Sequence, residues 1–181
     1  KGDDTLTPRI QAITEAATSL FLKQGYSKTQ ISHIAKAVGV SVGTIYHDFV
    51  GKKEIMHYIL KCTIQPEFAD EMIETPISEE HFTGLEQEIV QIFEESAEAF
   101  QKPLKDQLTD YSFASLMSDT FNLLSRYAAG CLFIEKNQYD FPFLAKRYKS
   151  YRKAFFSTME AYLHAYMEKG MIRALDDVKL T

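Results

Sequence analysis

The 181-residue sequence has only two cysteines, Cys62 and Cys131, too far apart in the chain to suggest a disulfide framework. Both are expected to be reduced, as in a cytoplasmic protein. The chain also lacks any run near the ~20 apolar residues that a membrane span requires, the longest candidate being the short stretch Ala128 to Ile134. No basic and apolar leader opens it, and it starts at Lys1 rather than Met, as a trimmed fragment does. The five histidines, His33, His47, His57, His81 and His164, are scattered and join no serine, cysteine or carboxylate set that would serve as nucleophile and base. An enzyme is therefore disfavoured, and His33 and His57 are placed on helix surfaces. Strand alternation, internal repeats and low-complexity tracts are also missing, whereas apolar residues recur with helical period throughout. The expected fold is all-α.

Positive charge is scarce overall, with a net charge of −5, and this argues against a generic nucleic-acid coat. Its distribution is uneven. Residues 1–62 carry eight lysines and arginines against five acids, a net of +3, and the remainder carries −8. A mildly basic head on an acidic body confines phosphate attraction to one end. The 45% apolar content is ample for a core.

The most informative stretch runs from Ile31 to Phe49. Ile31, Ile34, Ala35 and Val38 fall on one helical face, Gly39 stands where the chain must turn, and Val40, Ile45 and Phe49 supply the apolar side of a second short helix. Val42, Gly43, Thr44, Tyr46 and His47 are then turned outward, a set of small and hydrogen-bonding groups suited to phosphates and base edges. Ahead of this stretch a helix is expected from Pro8 to Gln24, capped by Thr7, with Ile10, Ile13, Ala17, Leu20 and Phe21 as its stripe. Thr29 offers a cap for the helix that follows, with its hydroxyl also available to a phosphate. Gly51 opens a linking helix through Ile64, with Ile55, Ile59 and Cys62 turned inward.

From Pro8 to Leu60 the sequence resembles the DNA-binding domain of TetR-family transcriptional repressors. The likeness rests on Arg9-Ile10, Ala16-Ala17, Leu20-Phe21, Gly25-Tyr26, Thr29, Ile34-Ala35, Gly39-Val40, Gly43 to His47, Phe49, and Lys52 followed by Glu54-Ile55. It implies DNA contacts from Thr29, Ser41, Val42, Gly43, Thr44, Tyr46, His47 and Lys52. Two positions depart from the family pattern. Val42 stands where a lysine is common, and Asp48 where an aromatic is common, so a carboxylate near DNA would repel it unless Asp48 turns away to pair with Lys52 or Lys53. Modest operator affinity is expected.

Beyond the loop Thr75-Pro76-Ile77-Ser78, a helix from Leu85 to Phe100 has a core face and a solvated acidic face, and Lys102-Pro103 should end it. The region that follows is rich in aromatics. Phe93, Tyr111, Phe121, Tyr127 and Phe133 either fill an ordinary bundle core or line an apolar cavity with tyrosine hydroxyls as its few polar groups. The resemblance implies an effector pocket in this region. From Phe141 to Ile172 one long helix carries Leu144, Tyr148, Tyr151, Phe155, Met159, Tyr162 and Tyr166 as a seam for another helix. The resemblance implies that this helix serves a dimer interface, and packing within one chain is the alternative. In the family a Gly-Met-Ile-Arg break, here Gly170 to Arg173, precedes one more helix, yet the sequence stops at Thr181. Either the chain is truncated there or its dimer is built differently.

The expected organisation is thus a helix-turn-helix domain over residues 1–50 and a helical effector-binding and dimerisation domain over 51–181. The expected protein is a homodimer that binds a palindromic double-stranded DNA operator, its recognition helices about 34–36 Å apart, and is released by a small apolar or aromatic effector. No cofactor or metal is implied. The alternatives are a constitutive DNA-binding regulator and, remotely, an all-α enzyme. The same binding chemistry serves repression or activation, depending on where the operator lies.

Overall fold

The computed structural model describes residues 6–173, with side chains from residue 8 onward. Helices form wherever the apolar period is helical: α1 Leu6–Gln24, α2 Ile31–Val38, α3 Val42–Asp48, α4 Lys52–Ile64, α5 Leu85–Lys105, α6 Phe113–Lys136 and α7 Pro142–Glu168. Among the described residues there is no strand, and the fold is all-α. Thr7 lies inside α1 rather than ahead of it, and its side chain is outside the described set. The residues after Arg173, where the family resemblance implies a further helix that the sequence stops short of, are also outside it.

The head folds as its pattern demands. Ile10, Ile13, Ala17 and Phe21 of α1 are buried against Ile34 and Ala35 of α2 and Ile45 of α3. Gly39 ends α2 at φ 82°, a left-handed conformation that costs glycine nothing, and its N–H and that of Val40 both reach the Ala35 carbonyl. Ser41 caps α3, its hydroxyl accepting from the Thr44 N–H at 3.0 Å. The cap of α2 is Gln30, paired with His33 in a reciprocal capping arrangement, rather than Thr29.

The hydrophobic core does not divide at residue 50. Ile55, Met56, Tyr58 and Leu60 of α4 continue the head's core into Phe82, Leu85, Ile89 and Phe93, and on to Phe133, Ile134 and Leu144. A second, distal cluster gathers Phe100, Leu108, Leu116, Tyr162 and Tyr166. Where α4 crosses α6 the Thr63 side chain rests directly on the α6 backbone, since a Cβ on Gly130 would come within 2.9 Å of Thr63 Cγ2.

Two boundaries differ from the sequence reading. α5 passes through Pro103 and stops at Lys105, because a proline in the last turn removes only one hydrogen bond from a ladder that is about to end. The chain then reverses through Gln107, Leu108 and Asp110, all at positive φ, a strained path for non-glycine residues. The seam helix ends at Glu168, four residues early, because Gly170 at φ 68° turns the chain and Met171 N–H closes on the Tyr166 carbonyl.

The body grips the head at two joints besides α4. At the first, the turn between α6 and α7 docks on the turn between α1 and α2. Buried Asn137 accepts from Tyr26 N–H at 2.7 Å through Oδ1 and donates to the Phe133 carbonyl at 2.8 Å through Nδ2. Phe21, Tyr26, Phe133 and Phe141 pack edge to face around it, and Lys136 Nζ donates to the Leu22 carbonyl at 2.8 Å. At the second, the extended loop at Ile77 pairs with the exit of α3, Ile77 N–H donating to the Asp48 carbonyl at 2.8 Å and Val50 N–H to the Ile77 carbonyl at 3.0 Å. Replacing Asn137 with Ala leaves the part-buried Tyr26 N–H without its partner and should destabilise the protein by about 1–3 kcal/mol in denaturant melts. A loss below about 0.5 kcal/mol would show that the joint does not depend on this amide.

Candidate nucleic-acid interface and body clefts

α3 presents two unlike sides. Its inward side is closed, with Ile45 and Asp48 fully buried, and its outward side leaves Val42, Gly43, Tyr46 and His47 exposed. Tyr46 is half-exposed on this face. Gly43 has no positive φ, and a Cβ there would meet only Ser41 Oγ at an ordinary 3.6 Å. The fold therefore does not need glycine at this position. Thr44 Oγ1 and Ser41 Oγ lie 2.9 Å apart, which fixes the hydroxyls at the start of the helix.

Asp48 does turn away from the outward face, but its partner is Arg9 of α1 and not Lys52 or Lys53. Arg9 grips both carboxylate oxygens at 2.6 Å, Nε to Oδ2 and the guanidinium NH2 to Oδ1. His47 Nδ1 lies 2.9 Å from the same carboxylate, which leaves Nε2 of this largely exposed ring for another partner. Burial alone would push the Asp48 carboxyl up, but the bonds from Arg9 and His47 outweigh it and hold it below the usual carboxylate range. The negative charge expected to repel DNA is neutralised inside the head, and the sequence spacing of 39 residues hid the pairing.

Lys52 is a strut. Its Nζ donates to the carbonyls of Tyr26 at 2.8 Å and Thr29 at 3.0 Å and lies 4.0 Å from the Tyr26 ring centroid, tying the start of α4 to the turn before α2. Burial draws its pKa down, and Asp140 opposes that shift. Tyr26 itself is pushed up to about 12, by burial first and then by Asp140 and Glu54, so it stays neutral. Thr29 is fully buried, its hydroxyl donating to the Gly25 carbonyl at 2.8 Å and accepting from Gln24 Nε2 at 3.1 Å. This corrects its assignment as a DNA contact: the hydroxyl is occupied within the turn. His57 is likewise not a surface residue; it is half-buried against Phe82 with Nδ1 unpartnered, and burial lowers its pKa.

The five aromatics assigned to an effector pocket do not share one. Phe133 belongs to the joint with the head, and Phe93 stacks on Tyr151 at 5.0 Å. Phe121 is 71% exposed and lines nothing. Tyr111 and Tyr127 meet at a cleft of about 300 Å³, together with Phe100, Asp119, Asn122 and Arg126, while Phe93 and Tyr127 share only a void of about 10 Å³. There the Tyr111 hydroxyl donates to Asp119 Oδ2 at 2.8 Å. A larger cleft of about 690 Å³ opens between α1 and α4, walled by Thr14, Thr18, Tyr58, Thr63, Pro66 and Asp70. No sequence signal marked it, because its wall is assembled from the outer sides of two helices.

The six residues read as a dimer seam are used largely within the chain. Tyr162 and Tyr166 are fully buried, Tyr162 donating to the Phe100 carbonyl at 2.6 Å and Tyr166 to the Tyr111 carbonyl at 3.1 Å. Tyr151 and Phe155 stack on Phe93 and Phe100 of α5, Tyr148 packs beside Phe93, and Met159 accepts from Thr120. The periodicity was read correctly, but the helix that fills the seam is α5 of the same chain.

The comparisons with known proteins converge on the head. Residues 13–59 match the family model described as bacterial regulatory proteins, tetR family. The chain is 39% identical over 54 residues to the fatty acid metabolism regulator protein of Bacillus subtilis strain 168, a match covering 30% of the chain and 28% of that protein. It is 33% identical over 51 residues to the HTH-type transcriptional regulator SAUSA300_2515 of Staphylococcus aureus strain USA300, covering 28% of each. The chain thus matches under a third of the length of these relatives. No solved structure gives a significant match.

The Arg9–Asp48 pair sets an acid limit on the head. The Asp48 pKa is lower folded than unfolded, so the pair's contribution is complete above the ordinary carboxylate range and is lost as pH falls through the lowered folded value. Asp48→Asn should cost about 2–3 kcal/mol at neutral pH and flatten the acid side of the stability profile. Equal acid sensitivity in both proteins, measured by denaturant melts between neutral and low pH, would mean that other carboxylates set the limit.

Proposed function

We propose, on the premise that the chain is a TetR-family DNA-binding transcriptional regulator, that it acts in the bacterial cytoplasm as a homodimeric repressor of a palindromic operator and is released by a small effector. The observation that carries the DNA reading is the two-sided α3, buried through Ile45 and Asp48 and open through Val42, Gly43, Tyr46 and His47. A helix held this way can enter a major groove without rearranging its own core. Ser41 and Thr44 sit at its start, and Lys52, with two N–H groups already bonded, keeps its charge beside the same surface. Two such helices about 34–36 Å apart would read successive grooves.

Selection of bound duplexes from a random pool at moderate salt should enrich a palindrome; no enrichment by folded protein would sink this reading. Gly43→Ala should leave the melting temperature near that of the parent, because a Cβ has room there. It should nonetheless weaken operator binding at least about 10-fold by holding the helix off the groove. Tyr46→Ala should weaken all duplexes alike by about 10-fold, as loss of a phosphate contact does. A loss confined to one base pair would assign Tyr46 to base readout instead.

The effector reading rests on the body cleft at Tyr111 and Tyr127, whose aromatic walls and placed Asp119 and Arg126 suit a small ring-bearing molecule with a polar group. Relatives match only over the head, so their likeness bears on DNA and not on the effector. A ligand would act through unequal affinity for two head spacings, transmitted by α4 and the two joints. A coupling of ~1–3 kcal/mol would change DNA affinity roughly 5–150-fold. Arg126→Ala should then abolish the response of operator binding to an effector without changing affinity in its absence. If ligands found by screening bind the body yet leave operator affinity unchanged, the protein is a constitutive regulator.

A further inference from the structure

His47 reaches the outward face of α3 with one ring nitrogen already committed. Its Nδ1 lies 2.9 Å from Asp48 Oδ1, and that carboxylate is fully buried, gripped by Arg9 and held below the usual carboxylate range. An ionised carboxylate only accepts, so Nδ1 carries a hydrogen in either charge state of the ring. Nε2 of the largely exposed ring is the atom left for DNA, an acceptor when the ring is neutral and a donor only when it is charged. We propose that His47 meets a DNA phosphate as the imidazolium, held between that phosphate on Nε2 and the Asp48 carboxylate on Nδ1, so that operator binding takes up a proton from solvent at each head. The inference rests on the DNA reading above and adds the charge state in which that surface works. Asp48 and Arg9 are its positioning residues.

Three grounds select a phosphate and a charged ring. A phosphate oxygen has no hydrogen to give, so a neutral ring would set two acceptors against each other. His47 stands in the last turn of α3, whereas base edges are met mainly from the start of a recognition helix. It is also the one side chain of α3 that can carry positive charge, since the helix reads Val-Gly-Thr-Ile-Tyr-His-Asp. The charged groups of the neighbouring elements have other places. Lys52 is bound to the Tyr26 and Thr29 carbonyls, Lys53 to Glu79 just beyond the loop that pairs with the exit of α3, and Lys36 is exposed on α2. Arg9 offsets the Asp48 charge from the side of α1. Asp48 thus gives the ring a direction, and the phosphate supplies the counter-charge.

The test measures affinity of the full chain for the duplex that selection enriches, between about pH 6 and about pH 8, the range in which imidazole changes charge. The dissociation constant should rise with pH by about 10-fold per head across that range. His47→Gln should bind as weakly at the acid end as the parent does at the alkaline end, without a slope. At the acid end it should also lower the salt dependence by about one counterion per head. His47→Arg, with a permanent cation, should bind tightly at both ends. The ring is largely exposed, so the helical circular dichroism of both variants should match the parent. In the free protein, nitrogen NMR in alkaline solution should place the ring hydrogen of His47 on Nδ1, and a hydrogen on Nε2 would overturn the inference without any DNA. A palindrome bound tightly with a flat pH profile would also overturn it. So would affinity that grows with pH, which would assign Nε2 to the amino group of an adenine or cytosine. Failure to bind any duplex at any pH would overturn the DNA reading itself, and the inference with it.

Discussion

The geometry of the reading head depends on one carboxylate. Asp48 ends α3, and three elements meet on it: Arg9 of α1 holds both its oxygens, His47 holds one of them from the outward face, and its backbone carbonyl accepts from Ile77 of the body loop. A helix of seven residues has little stability of its own. Its orientation comes from where its last residue is anchored. The buried charge is tolerable because the guanidinium grips it in a bidentate, charge-assisted arrangement, and an unpaired carboxylate at the same depth would be strongly unfavourable.

How much of this was legible in the sequence depended on the reach of each interaction. The α2–Gly39–α3 turn could be read because it is local: apolar spacing, a glycine at a left-handed position and a serine cap all lie within 19 residues. The partner of Asp48 could not be read, since Arg9 is 39 positions away and periodicity carries no information about it. Thr29 and Lys52 look like phosphate contacts in a linear motif. In three dimensions they hold the same turn together, one from inside it and one from the start of α4.

The body shows the converse. A period of three and four along α7 specifies that a helix will pack there, but an apolar stripe is the same whether its partner belongs to the same chain or another. The strained reversal after Pro103 decides the matter by bringing Tyr111 under Tyr162 and Tyr166, so that the seam closes on α5 and the loop following it. Aromatic richness was likewise real yet not localised. The rings are shared out among the joint with the head, the α5–α7 packing and the distal cluster, and the one sizeable cleft among the expected five takes Tyr111 and Tyr127.

Gly130 gives the crossing of α4 and α6 a mechanical character. With the Thr63 side chain resting directly on the α6 backbone, α6 contributes no side chain at that point to rotate and absorb a displacement. The contact fixes the body end of α4, while Lys52 at the opposite end is fastened beneath the turn that supports α2. Thr63 lies at the far end of α4 from Lys52, so this close contact and the Lys52 anchor hold the two ends of the same helix.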